Sequence, residues 1–457
     1  MFLEEDILKE YDSYIRKGLE AILNVKISDN IWDQASLPTK MGGLGIRKTT
    51  ELSISAYISS VTSAEPGVRE ILGLAPFHGA GISGNFVPAE LGEEEIHGST
   101  PLQLANLPGN IIEFGDSQDV GLSQHNIIED SPLPYNAQNS LSENNLNTNI
   151  YCVQVKNKRK ELVSENTEFP TNQKSQSEWD TKICETTFNK LLEAASDSPH
   201  ETARLKAVSS KNASDWLNCL PISSLGLKLN PSQLKISSAI RLGASICRPH
   251  KCYHCGDDVS SLGRHGLYCR IAAAKSGRIS RHSKVNDIIK RAVASAGFPA
   301  KLEPSGLCKD GSRKRPDGYT CDSFKNGKPL AWDFTCSDTL APSHISKSAK
   351  ATGSVAEWAE NRKFATYGDS LSDDYHFLPI AVETLGTYGS IAHKFIKDIG
   401  RMIKNVSKEP RSTSFIFQAI SIAIQKGNAQ CVQETYGESA FEKLDEIYYI
   451  CQPNNSL

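Results

Sequence analysis

The sequence contains no long hydrophobic run and no export signal. It has no stretch of about 18 or more apolar residues, so we predict no membrane-spanning helix. The opening residues, MFLEEDILKEYDSYIRKGLEAIL, carry acids where a signal peptide needs a basic start and an apolar stretch. Their pattern predicts an amphipathic helix instead. We therefore expect a nuclear or cytoplasmic protein that is not secreted and has no membrane partner.

Internal repeats are also absent, and only three of the 12 cysteines form a tight cluster. Without an export signal, this pattern favours a reducing compartment with some metal binding over a disulfide framework. The chain has 457 residues, which at about 100 to 200 residues per domain predicts two to four folded units.

The net charge of -3 conceals a strongly basic segment. Between Arg241 and Arg315 there are 16 lysines and arginines against five acidic residues, an excess of 11 positive charges. Such a segment could neutralise a phosphate backbone, which makes a nucleic acid a candidate partner. The alternative is an ordinary solvated basic face.

Hydrophobic periodicity and changes in composition divide the chain into segments. A run rich in Asn, Ser and Gln predicts a disordered linker, and a loop rich in Gly and Pro at 38–45 precedes a helix. The expected segments are a helical N-terminal part (1–91), the disordered linker (92–176), a helical module (177–248), a metal-binding knuckle (249–285), a mixed α and β domain (286–400) and C-terminal helices (401–457).

Local signals mark the ends of three helices. Ser177 or Asp180 is the expected cap of the helix that follows the linker. Asn230 with Pro231 marks a second helix start, and Gly297 ends the helix formed by HSKVNDIIKRAVASAGF.

Three cysteines and one histidine have the spacing of a zinc site. Two thiolates on a short turn, with a His and a Cys one helical turn apart, can reach one tetrahedral ion. Four protein ligands leave no open position for water, so the sequence predicts a structural zinc. The predicted ligands are Cys252, Cys255, His265 and Cys269, and Cys247, His250 and His254 are alternatives. The competing interpretation is a group of ordinary buried cysteines beside a surface histidine.

Two aspartates flank a predicted β-hairpin. Asn326-Gly327 is a strong two-residue turn signal, so the segments before and after it should pair as antiparallel strands. Asp317 precedes the first strand and Asp333 lies in the second. Carboxylates that converge on one edge of a sheet suit Mg²⁺, a hard ion that prefers oxygen ligands.

Strand register is an obstacle to this convergence. With an ideal two-residue turn, Asp333 faces Thr320, and Asp317 then lies roughly 10 Å further along, on the opposite face. A bulge or bend is required, and we expect it at Pro329 or Gly318. The alternative is that both aspartates merely decorate the surface.

The order of these motifs resembles a known family. Cys-x2-Cys and His-x3-Cys, followed by GRISRH, LEPSG, KRPDG and WDFT, are similar to the C-terminal region of non-LTR retrotransposon proteins. In that region a zinc knuckle precedes a restriction-like endonuclease of the PD-(D/E)xK class. The N-terminal LPTKMGGLGIR resembles the segment that follows the polymerase core in the same proteins.

The resemblance implies a fold and a set of catalytic residues. It implies a mixed α/β domain with a PD-(D/E)xK-like central sheet flanked by helices, and it makes 1–91 a helical remnant of the polymerase tail. Asp317 and Asp333 would bind Mg²⁺, and Glu303 would complete the site. The usual lysine is replaced by Thr335, and Lys363 in the Lys-x3-Tyr pattern with Tyr367 would take its place. Lys347 and Lys350 are rivals, and Lys363 on a solvated helix face is the alternative to any catalytic role.

The same resemblance implies nucleic-acid contacts and excludes one activity. DNA is the expected partner, and element RNA is a second one. Adjacent aspartates of a polymerase turn do not precede LPTKMGGLGIR, so this chain should not copy RNA. The residues expected to contact nucleic acid are Arg278, Arg281, His282, Lys314 and Arg315.

The sequence therefore supports three functional hypotheses. The leading one is an Mg²⁺-dependent endonuclease that binds and nicks target DNA by phosphodiester hydrolysis. The second is a catalytically inactive or domesticated nucleic-acid-binding remnant of such an element. The third is a zinc-stabilised scaffold for protein partners.

Overall fold

The structure, a computed structural model, describes residues 5–71, 157, 170–172, 174–271, 276–309, 314–368 and 370–436. The chain divides into two compact units, one formed by residues 1–63 and 155–457 and the other by residues 64–154. Of the second unit only 64–71, the end of a helix, belongs to the described residues. Almost all of the predicted linker at 92–176 lies outside them.

The described residues form a mixed α and β fold, as the sequence predicts. The helices are α1 (Glu5–Leu23), α2 (Asp29–Ser36), α3 (Thr49–Ile71), α4 (Gln176–Ala194), α5 (Pro199–Val208), α6 (Pro231–Leu242), α7 (His265–Tyr268), α8 (Ser276–Ser295), α9 (Ile345–Ser348), α10 (Ser354–Tyr367), α11 (Ser390–Ser407) and α12 (Ser412–Gln433). The strands are β1 (His250–Lys251), β2 (Asp258–Val259), β3 (Ala300–Leu302), β4 (Gly318–Lys325), β5 (Lys328–Ser337) and β6 (His376–Glu383). No helix of this described part is long and apolar enough to cross a bilayer.

A four-stranded sheet has the order β3-β4-β5-β6. Its first three strands are antiparallel, whereas β5 and β6 are parallel. A parallel pair needs a long crossover connection, and α10 lies in that connection. Residues 330–334 of β5 are all buried, because helices cover both faces of the sheet.

The two faces of the sheet have different partners. On one face Leu330, Trp332 and Phe334 join a core with apolar residues of α8, α11 and α12. On the other face α10 packs against β6, with Ala356 and Ala359 in one apolar cluster with Ala381. Successive strand residues alternate between faces, so Asp333 belongs to the face that α10 covers.

The hairpin turn is where the sequence predicts it. Asn326 and Gly327 have φ values of 51° and 74°, the positive values that a type I′ turn requires. The predicted pairing of Thr320 with Asp333 is wrong, because β4 slips past β5 at two register shifts and pairs Gly318 with Trp332. The same register places Asp317 next to Asp333. In the irregular part of the β4–β5 pairing, the Thr320 hydroxyl takes the place of a backbone carbonyl and accepts the Leu330 N–H at 2.8 Å.

The register shifts lie on either side of the Ser323–Pro329 pair, with the extra residues on β4. The irregularity is therefore next to Pro329 and not at Gly318, which pairs with Trp332. Gly318 has another function. A Cβ atom on this residue would overlap the indole ring of Trp332, and only glycine allows the two strands to approach so closely.

The N-terminal loop and the helix starts follow local signals. A 3₁₀ turn at Thr39–Met41 and positive φ angles at Gly42 and Gly45 precede α3, as expected. Asn230 forms a capping box with Gln233 at the start of α6, which is also as expected. The cap of α4 is Ser175 rather than Ser177 or Asp180, because its side chain accepts the Glu178 N–H.

Two predicted boundaries fall inside helices. Helix α8 runs through the boundary at 285/286, and α11 runs through the boundary at 400/401. Helix α12 packs along α8 and shares the core of the sheet. The described C-terminal helices are therefore part of the same packed unit as the sheet.

Candidate functional site

Four predicted ligands converge in a knuckle. Their sulfur and nitrogen ligand atoms all lie within 4.8 Å of one another, and three of the four residues are buried. His265 opens α7 and Cys269 follows it, so the two share one helical turn. The converging residues are Cys252, Cys255, His265 and Cys269. Three thiolates and an imidazole can bind a metal such as zinc.

Backbone hydrogen bonds shape the turn between the first two cysteines. The Cys252 N–H donates to the Asp257 carbonyl and the Gly256 N–H donates to the Cys252 carbonyl, both at 2.8 Å. Gly256 has a φ of 77°, a left-handed angle that favours glycine. This tight turn directs both cysteines toward one point.

The alternative ligands have other partners. His250 stacks on Tyr436 with ring centroids 3.7 Å apart, and its Nε2 lies 2.9 Å from Thr435 Oγ1. The Cys247 thiol lies 3.4 Å from the Ser260 carbonyl oxygen. His254 packs edge-on against its neighbour Tyr253. These three residues lie outside the four-residue cluster.

Asp317 and Asp333 are brought together where β4 begins beside the middle of β5. Asp317 Oδ2 accepts the N–H of Phe334, the residue after Asp333, at 2.6 Å. Asp333 is only 3% exposed. Burial raises the pKa of Asp333, and the negative charge of Asp317 raises it further. The strand register therefore produces the convergence that the sequence alone made difficult.

Lys363 of α10 completes this acidic site. Its Nζ lies 2.6 Å from Asp333 Oδ1, at the end of the helix that covers this face. The Lys363 ammonium lowers the pKa of Asp333 and so opposes the effects of burial and of the Asp317 charge. The rival lysines lie elsewhere, since Lys347 stacks over Trp358 and the exposed Lys350 follows α9.

Tyr367 lies one turn after Lys363 on the same helix. Its hydroxyl donates to the Arg315 carbonyl at 2.8 Å, which fixes the chain two residues before Asp317. Burial raises the pKa of Tyr367, and the Asp333 charge adds to the effect. The Lys-x3-Tyr pattern therefore places both side chains at the acidic pair.

His282 lies at the acidic pair. Its side chain is 43% exposed, and its Nε2 lies 3.0 Å from Asp317 Oδ1. The hydrogen bond to Asp317 raises the pKa of His282. Sequence reasoning missed the neighbouring Asn286 and Trp332, which are joined by a hydrogen bond from Trp332 Nε1 to Asn286 Oδ1. His282 and Asn286 lie four positions apart on α8, and this helical spacing could have placed Asn286 beside His282.

Glu303 is near the pair only through its backbone. Its N–H donates to the Asp317 carbonyl at 2.9 Å, it has a φ of 49°, and its side chain is exposed. Over the described ranges, the cysteine–histidine cluster is the one group of three or more Cys, His, Asp or Glu ligand atoms within 4.8 Å. Glu303, Asp317 and Asp333 therefore do not form such a group.

The predicted phosphate contacts divide into two groups. Arg281 is only 3% exposed and donates to Asn428, and Arg278 donates to the Cys269 carbonyl. The burial of Arg281 does not fit a phosphate contact. Lys314 and Arg315 are exposed just before Asp317, and Lys314 Nζ donates to Ser370 Oγ at 2.8 Å. Positive charge therefore borders the acidic site.

The two sites differ in chemistry. The knuckle gathers four side chains that could bind one metal ion, whereas the acidic pair offers carboxylate oxygens, a lysine and a neighbouring basic rim. No protein-family model matches this chain, and no curated protein matches it significantly.

Proposed function

We propose that this protein is a divalent-metal-dependent endonuclease that binds and nicks DNA. In this proposal it corresponds to the C-terminal region of a non-LTR retrotransposon protein. The observation that carries the proposal is the meeting of Asp317, Asp333 and Lys363 beside an exposed basic rim. Nucleases that hydrolyse phosphodiesters with a metal ion use this combination of charges.

The acidic pair has features that suit Mg²⁺. Asp333 is a buried carboxylate whose Oδ1 contacts one cation, Lys363 Nζ at 2.6 Å, and whose negative charge lies beside that of Asp317. Asp317 Oδ2 accepts the Phe334 N–H and keeps a lone pair for an ion, and Oδ1 lies beside His282 Nε2. When bound, Mg²⁺ would polarise a phosphoryl oxygen and lower the pKa of a coordinated water.

The residues of the chain would then have separate tasks. Asp317 and Asp333 hold the ion, and Lys363 neutralises charge that develops on the phosphoryl oxygens. Lys314 and Arg315 contact DNA phosphates, which positions the duplex without reading its sequence. We leave Glu303 outside the proposed ligand set, because its side chain is exposed away from the other donors.

The knuckle is proposed to bind a structural zinc ion. Its three sulfur ligands and one nitrogen ligand match a closed tetrahedral site with no position for a catalytic water. A zinc ion there would join the β1–β2 arm to α7, which packs on α12.

Nicking of supercoiled plasmid with Mg²⁺ tests the enzymatic proposal. We expect the wild type to convert plasmid to the open circle, and Asp317→Asn and Asp333→Asn to fall to background. Asp322→Asn, an exposed aspartate on β4, is the matched control and should retain activity. Cleavage that survives both site substitutions in folded protein would remove these residues from the reaction.

A second candidate is nucleic-acid binding without catalysis. It is favoured by the contacts of both aspartates with His282, Phe334 and Lys363, which balance their charges without an ion. An inert wild type whose affinity for DNA falls steeply with salt would support this candidate.

A further inference from the structure

Helix α11 presents a line of positive charge to solvent. Its basic residues recur at intervals of three and four positions, the spacing that places side chains on one face of a helix. All of them are exposed, whereas Phe395, Ile396 and Ile399 on the opposite side belong to the buried core of the sheet. The members of this basic stripe are Lys394, Lys397, Arg401 and Lys404.

Most of the charge in the basic stripe is not balanced. Asp398 is the one acidic residue of α11, and it pairs with Arg401 at 3.3 Å. Among the described residues, no carboxylate lies within ion-pair distance of Lys394, Lys397 or Lys404. A helix face that is merely solvated usually carries both signs of charge in pairs one turn apart. The basic stripe lacks this mixture.

A second part of the chain adds to the charge at the start of α11. His393 Nε2 lies 3.2 Å from Asn212 Oδ1, which brings the exposed neighbour Lys211 to the beginning of the basic stripe. Burial lowers the pKa of His393, and the positive charges of Lys211 and Lys397 lower it further. Lysines that are distant in the sequence therefore meet on one surface.

The burial and the length of α11 indicate the kind of partner. A basic amphipathic helix can bind a membrane, but its apolar face must then enter the lipid. The apolar face of α11 is buried in the protein, so only the charged side can bind. From Lys394 to Lys404 the helix rises about 15 Å. One strand of duplex DNA carries about four phosphates over this length, which matches the four cations.

We propose that the basic stripe of α11 binds the phosphate backbone of duplex DNA. This surface is separate from the acidic site, because α10 and α11 cover opposite faces of the sheet. It also lies outside the basic segment between Arg241 and Arg315. DNA on the basic stripe is held and not cut, so the inference goes beyond the proposed function and does not depend on cleavage.

The salt dependence of binding to a duplex of about 20 base pairs tests the basic stripe. Zinc-saturated protein without added Mg²⁺ is used, so that cleavage does not interfere. Each phosphate that a lysine or arginine neutralises adds about 0.9 to the slope of log K against log salt. The triple variant Lys397→Gln, Arg401→Gln, Lys404→Gln should therefore lower the slope by roughly 2 to 3 and weaken binding roughly 10-fold or more. Glutamine is close to lysine and arginine in helix propensity, so the fold should be retained.

The matched control removes three positive charges elsewhere. Lys17→Gln, Lys26→Gln, Lys40→Gln changes exposed lysines of the N-terminal part and should keep the wild-type slope. A wild type that does not bind duplex DNA, or a stripe variant with the same slope as the control, would overturn the inference.

Plasmid nicking separates this outcome from the proposed function. A reduced slope in the stripe variant of a protein that cannot nick leaves the basic stripe intact and removes the nuclease. Nicking that depends on Asp333, with an unchanged slope in the stripe variant, leaves the nuclease intact and removes the basic stripe.

Discussion

Gly318 allows the two aspartates to meet. Any Cβ atom at this position would overlap the Trp332 indole, which is fully buried in the core. We predict that Gly318→Ala destabilises the fold by about 1–3 kcal/mol, because the strands must separate to accommodate the methyl group. Urea denaturation measures the effect. Gly18→Ala is the control, since a Cβ atom there has no neighbour within 4 Å, and equal stabilities of the two variants would contradict the prediction.

Lys363 balances a carboxylate that burial makes costly. Lys363→Met should raise the pKa of Asp333 further, because burial and the Asp317 charge both remain. Leaving the charged oxygen without its partner should cost about 1–3 kcal/mol at neutral pH in the absence of metal. The loss should shrink at low pH, where Asp333 is protonated.

Denaturation of Lys363→Met at several pH values tests this prediction. Lys350→Met removes an exposed lysine and is the comparison. If both variants are equally stable across the pH range, the Asp333–Lys363 contact contributes nothing to the fold.

The predictions of site residues had two sources. The knuckle ligands were predicted from spacing within one short segment, and Lys363 with Tyr367 was predicted from the resemblance to retrotransposon proteins, whose Lys-x3-Tyr pattern these residues match. The contact of His282 with Asp317 was not predicted, because the two residues lie 35 positions apart in the chain. The register that joins Asp317 to Asp333 was equally hidden, since it depends on the Trp332 ring fitting over Gly318.

At the scale of elements, two buried glutamates cap the helices around the site. Glu383 at the end of β6 accepts the Ala356 N–H of α10 at 3.1 Å. Glu360 of α10 accepts the Ala392 N–H of α11 at 2.9 Å. Burial raises the pKa of each carboxyl to about 7. Each helix start therefore depends on a side chain from another element, which lies about 30 positions away in the chain.

These pKa values predict how stability depends on pH. Between about pH 4.5 and pH 7 the folded state holds protons on Glu383 and Glu360 that the unfolded state has released. Their contribution to stability is complete below this window and is lost as the pH rises through about 7. Glu383→Gln, which cannot ionise, should lose less stability than the wild type between pH 5 and pH 8.

The check is denaturation of wild type, Glu383→Gln and Glu357→Gln across this range. Glu357 is an exposed glutamate of α10, the helix that Glu383 caps. Equal slopes for wild type and Glu383→Gln would show that Glu383 does not titrate in this window.

Helices and the hairpin were more predictable than their caps. The Asn326-Gly327 turn and the Asn230 cap are local signals, and both are confirmed. Glu383 and Glu360 cap helices from distant positions, so no spacing in the sequence identifies them.

At the scale of the whole molecule, the knuckle is bound to the C-terminal helix. Gly266 of α7 lies against the Cys431 backbone, and His250 stacks on Tyr436. We predict that removal of zinc by a chelator increases hydrogen exchange in 250–270 and in 425–436, while β5 and β6 stay protected. The reason is that the ion replaces a core that this small segment cannot form.

Hydrogen exchange with mass spectrometry provides the measurement, and re-addition of zinc is the control. Unchanged exchange in both regions after verified loss of the metal would contradict a structural role for the site.

The mixed fold class was predictable from the sequence, but the division into segments was not. The boundaries at 285 and 400 fail because α8, α11 and α12 share one core with the sheet, including Ile289, Ile396 and Ile420. The apolar pattern of a helix predicts that one of its faces is buried, but it does not predict which element covers that face. The partner is determined by contacts between residues that are distant in the sequence.

The central claim is that Asp317 and Asp333 hold one divalent ion at the junction of β4 and β5. Anomalous diffraction at the manganese edge, from crystals of zinc-saturated protein soaked in Mn²⁺, tests it most directly. The predicted result is a peak at about 2.1 Å from a carboxylate oxygen of each residue. The contradicting result is no peak there, with Asp317 still bonded to His282 and Asp333 still paired with Lys363.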